Sequence, residues 1–71
     1  MKLMIEKKKL RCDNLETDFF IIKIKNLFFW QTINKKTEFG TIPIPFYSIV
    51  DVDRFIYQFF SSKKVTIIRK F

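Results

Sequence analysis

Ser48-Ile49-Val50-Asp51-Val52-Asp53-Arg54-Phe55-Ile56-Tyr57-Gln58-Phe59-Phe60 is the one stretch whose apolar residues recur at helical spacing. Val52, Phe55, Ile56, Phe59 and Phe60 fall at i, i+3, i+4, i+7 and i+8, a single apolar stripe. Ser48 is suited to cap the first turn, and Asp51 three residues on gives a capping-box-like pair with Asp in place of Glu. Asp51 and Asp53 are expected in the first turn, where negative charge opposes the helix dipole. Arg54, Tyr57 and Gln58 fall on the outer side, and Ser61-Ser62-Lys63-Lys64 is expected to end the helix.

Everything around this helix reads as strand. After it, Val65 to Phe71 predicts a final strand. Before it, Ile42, Ile44 and Phe46 alternate with Pro43 and Pro45, predicting a strand over 38–47. Residues at i and i+2 aim their N–H groups to the same side. Two prolines therefore leave one side without donors, which suits a sheet edge. Residues 18–33 are rich in β-formers: Phe19-Phe20-Ile21-Ile22, then alternating Lys23-Ile24-Lys25, and either a tight turn at Lys25-Asn26 with a returning strand from Leu27 to Ile33 or, since the turn lacks Gly, one long bent strand. Asn34-Lys35-Lys36-Thr37 reads as a loop. Residues 1–14 read as a basic N-terminal arm or edge strand ending in an Asp13-Asn14 turn, with residues 15–71 as the domain proper. The expected fold is α+β, a small antiparallel or mixed sheet in the order β-β-β-α-β with the helix on one face.

Composition narrows the chemistry. The 71 residues hold no His, no Ala, one Gly and one Cys, against 11 Lys, 11 Ile and 10 Phe. Without His, the commonest general base and metal ligand is missing. One Cys12 closes no intrachain disulfide and forms no thiolate cluster. Asp13, Glu16 and Asp18 lack the spacing, the Gly and the closing Glu of a cation loop. Neither a cofactor nor a metal nor a small-molecule substrate is expected, and a non-enzyme is the expectation. No stretch reaches the roughly 20 apolar residues of a spanning helix, so no membrane role is expected. The unpaired Cys12 agrees with a cytoplasmic location.

Phe, Ile, Asn, Lys and Tyr supply 37 of the 71 residues, and all have AT-rich codons. This points to a phage, mobile element, organelle or low-GC bacterial origin. It also discounts the net charge of +7 as evidence of nucleic-acid binding. The basic residues cluster early: Lys7, Lys8, Lys9 and Arg11 are the candidate phosphate contacts if the arm binds nucleic acid.

One helix covers one face of a sheet, yet Phe19 to Ile22 and Leu27 to Trp30 place apolar residues on both. The second face therefore predicts an interface, with Phe29, Trp30, Lys23 and Lys25 as candidate partner-binding residues and Tyr57 as a helix-side addition. The reading is a small binding protein that occupies a macromolecular partner, for instance a phage or mobile-element inhibitor of a host protein. Self-association as a dimer is a further expectation for so small a core. The alternatives are a nucleic-acid or ribonucleoprotein-associated protein and a structural subunit of an assembly.

Overall fold

The computed structural model describes residues 1–61 and 64–71. Seven elements follow one another: β1 (Lys2–Cys12), β2 (Leu15–Lys25), β3 (Trp30–Thr32), β4 (Asn34–Thr37), β5 (Gly40–Pro43), α1 (Ile49–Phe60) and β6 (Thr66–Lys70). A mixed four-stranded sheet in the order β3-β2-β1-β6 carries the fold, and β4 and β5 form a separate two-stranded sheet. The class is α+β, as the sequence implies.

β1 and β2 form a long antiparallel hairpin, in register from Leu3 opposite Ile24 to Cys12 opposite Leu15. Asp13 and Asn14 make its two-residue turn, with Asp13 at φ 54°. Asp is among the few residues that visit this region at low cost. The hairpin accounts for the longest dimension of the molecule, 41 Å against 26 and 23 Å.

Residues 2–12 form β1, a strand of the main sheet that lies at its edge only beyond Glu6. β6 pairs in parallel with β1 from Lys2 opposite Thr66 to Glu6 opposite Lys70, so this half of β1 is interior to the sheet. The cause is apolar: Leu3 and Ile5 are fully buried and belong to the core. Lys7, Lys8 and Lys9 do not interrupt the strand, because they lie beyond the core on a stretch with one open edge, where charged side chains are at home.

The chain reverses between β2 and β3 later than expected. Residues 27–29 are a bend rather than strand: the Asn26 amide donates to the Phe29 carbonyl at 2.8 Å, and the Asn26 side chain donates to Gln31 at 2.9 Å. The absence of Gly there makes a tight two-residue turn costly. Asn34–Thr37 is not a loop but pairs with Gly40–Pro43. Its turn is fixed by Thr37, whose hydroxyl contacts the Gly40 carbonyl at 2.8 Å and accepts from the Phe39 amide at 3.2 Å. The single strand expected over 38–47 is thus two pieces. Past β5, the Ile44 amide donates to the Ile33 carbonyl, and Phe46 exchanges both backbone hydrogen bonds with Phe20. These donors alternate with the two prolines, and the proline side is left open, as the edge argument requires.

α1 begins at Ile49 with Ser48 as N-cap, its hydroxyl accepting from the Asp51 amide at 3.2 Å. Asp53 lies past the first turn and bonds Arg69 of β6 instead, at 3.1 Å. Val52 is fully buried, while Phe55, Ile56 and Phe60 pack on the core from its margin. Phe59 is the exception to the stripe: it is exposed and touches Phe55 ring to ring at 4.7 Å. Ser61 closes the helix; Ser62 and Lys63 lie outside the described residues. The core is small: Leu3, Ile5, Ile22, Phe46 and Val52.

Candidate interaction surface

Strand alternation sorts the side chains of the sheet onto two faces. Leu3, Ile5, Ile22 and Ile24 turn toward the helix, as their packing with Val52 shows. The neighbours between them must therefore point the other way. This open face carries Met4, Glu6, Lys8 and Leu10 from β1, Thr17, Phe19, Ile21, Lys23 and Lys25 from β2, Trp30 and Thr32 from β3, and Ile68 and Lys70 from β6. Met4 and Ile21 are buried even though no helix covers them.

The two faces differ in charge. On the helix side of the hairpin, Lys7 pairs with Asp18 at 3.4 Å, Lys9 with Glu16 at 3.8 Å, and Arg11 with Glu16 in a close hydrogen-bonded pair. On the open face, Lys2, Lys8, Lys23, Lys25 and Lys70 meet a single carboxylate, Glu6. Glu6 bonds Lys23 at 2.9 Å and Lys8 at 3.1 Å. The hydrogen bond from Lys23, outweighing partial burial and aided by Lys8, holds its carboxyl below the ordinary range. Lys2, Lys25 and Lys70 form no ion pair among the described residues.

An apolar groove of about 410 Å³ opens at the hairpin side of this face, lined by Leu10, Phe19, Ile42, Pro43, Pro45 and Tyr47 with Thr17. The strand register places Lys8 directly opposite Phe19, at its margin. At the other end, the Lys25 ammonium lies 5.4 Å from the centre of the Trp30 ring, a cation–π contact.

Lys23, Lys25 and Trp30 are brought together: Lys25 is opposite Trp30, and Lys23 opposite Thr32 on the same face. Phe29 is adjacent in sequence but lies in the bend, exposed. Tyr57 is 75% exposed on the outer side of α1, on the far side of the sheet from Trp30. The four basic residues of the first strand are split: Lys8 is on the open face, while Lys7, Lys9 and Arg11 are on the other and ion-paired. Lys2, Lys70 and the groove residues were not among the sequence candidates. The parity of residues 2–12 against 15–25 would have found Lys2, once the hairpin register was carried through Asp13-Asn14; Lys70 is placed by the parallel pairing of β6 with β1.

Among the described residues, no three His, Cys, Asp or Glu side chains converge as a metal site. Cys12 is free and exposed. No described helix is long and apolar enough to cross a membrane. No protein-family model matches this chain, and neither curated proteins nor solved structures yield a match.

Proposed function

We propose that this chain is a non-catalytic binding protein that acts by occupying a macromolecular partner, and that the open face of the four-stranded sheet is the surface it uses. The observation that carries the reading is the face itself. It holds partly exposed Phe19, Ile68 and Trp30 around the buried Met4 and Ile21, with no helix or strand among the described residues laid over it, and is rimmed by lysines. A sheet face of this composition, continuous with an apolar groove, is the kind of surface that marks interaction sites. The exposed Cys12 supports a reducing compartment such as the cytoplasm. The AT-rich composition supports a phage or mobile-element product, inhibiting a host protein, as the setting.

A nucleic-acid-associated protein is the second reading. Its support is the open-face lysines rather than the hairpin's Lys7, Lys9 and Arg11, whose charges are already opposed.

Affinity capture from lysate tests the proposal with three baits: wild type, Lys25→Glu/Trp30→Ala on the open face, and Tyr57→Ala on the helix. A species retained by wild type and Tyr57→Ala but lost by the open-face variant is expected. Capture that is equal for all three, or no capture by any, refutes it.

A further inference from the structure

We propose that the open face binds an extended acidic polypeptide segment anchored by one large apolar side chain. This deepens the functional reading above and rests on it. Charge is the first argument. Strand alternation places three of the hairpin's four carboxylates outside this face: Glu16 and Asp18 on the helix side and Asp13 in the turn. Five lysines remain, facing one glutamate. Complementarity calls for a partner with several negative charges.

Dimensions are the second argument. Phe19 to Lys25 is seven residues of one strand, six steps of roughly 3.3 Å or about 20 Å. An extended segment of about seven residues lying along β2 covers that distance. Its apolar side chain enters the groove between Leu10, Phe19, Pro45 and Tyr47. Its carboxylates then meet Lys8, Lys23 and Lys25 in turn. Glu6 holds Lys8 and Lys23 in place in the free protein and yields them to the incoming carboxylates.

The lining of the groove argues for a peptide over a nucleic acid. Leu10, Ile42, Pro43 and Pro45 make the groove's walls mostly aliphatic beside the rings of Phe19 and Tyr47, where a run of stacked bases needs successive aromatic platforms. The one indole on the face is already engaged by Lys25.

Selection from a displayed library of random peptides about seven residues long tests this on the full chain. The enriched peptides should carry two or more Asp or Glu and one large apolar residue. Affinity of a synthesised winner should fall about tenfold or more in Lys23→Glu/Lys25→Glu and fall in Leu10→Asp. It should rise in Glu6→Gln and stay unchanged in Tyr57→Ala, with circular dichroism confirming that each variant is folded. Neutral or basic winners that still depend on Lys25 and Leu10 overturn the acidic assignment but leave the open face as the binding surface. Winners indifferent to every open-face substitution, or no enrichment, overturn both. Tighter binding of a short oligothymidylate through Lys23 and Lys25 overturns the peptide in favour of nucleic acid.

Discussion

Arg69 of β6 donates a hydrogen bond to Asp53 of α1 at 3.1 Å, joining the last strand to the second turn of the helix. Both side chains are close to half exposed, so solvent screens the pair. Arg69→Ala should therefore cost less than about 1 kcal/mol in urea unfolding. A larger loss would mean that the pair orients the helix as well as attracting it.

The interior position of β1 makes a sharper prediction. Ile5→Ala removes a fully buried side chain from a core of few members. A loss of about 2–5 kcal/mol is expected. That is a large share of what so small a domain has in total. Leu10→Ala, on the same strand but exposed, should stay within about 0.5 kcal/mol. Similar effects at the two positions would contradict the difference in burial along β1.

The Ser48 hydroxyl accepts a hydrogen bond from the Asp51 amide at the start of α1. Ser48→Ala should destabilise by about 1 kcal/mol and Ser48→Asp by little, measured as the midpoint of thermal unfolding. No loss in Ser48→Ala would show that the cap is dispensable.

Much of this was legible beforehand. The helix begins and ends where its periodicity and its Ser48 cap place it, because capping and the apolar stripe act locally. The proline side of residues 43–46 was readable for the same reason, since ring geometry needs no tertiary context. The position of residues 2–6 was not. Leu3 and Ile5 look like weak strand formers beside a lysine run, and only the distant β6 makes them interior. Residues 27–29 misled in the opposite way: Leu27 at 91% and Phe28 at 89% exposure have strand-like side chains in a bend. The candidate surface was legible where it depends on one short pairing, which sets Lys23, Lys25 and Trp30 on one face. It was hidden where it depends on the register of the whole hairpin.

Acid should weaken the fold through Glu6. Its carboxyl titrates lower in the folded chain than in the unfolded one, mainly because Lys23 bonds the charged form. The stabilisation is present above the ordinary carboxyl value of about 4.5 and is lost as pH falls through the lower folded value. Chemical denaturation between neutral pH and about pH 3 should show wild type losing more stability than Glu6→Gln. Parallel curves would remove Glu6 from the acid response.

The bend at residues 26–29 offers a control for substitutions elsewhere. Phe29 is exposed and outside the core, so Phe29→Asp should leave stability within about 0.5 kcal/mol. A larger loss in urea would place the ring in the fold rather than on its surface.

The parallel pairing of Leu3 with Ile67 has a kinetic consequence. β1 and β2 can zip together as a local hairpin, but β1 gains its other neighbour only after most of the chain has closed into a loop. Such closure is entropically costly, so this pairing is expected to form later than the local hairpin. During synthesis, the inner edge of β1 therefore waits, unpaired and apolar, until β6 has left the ribosome.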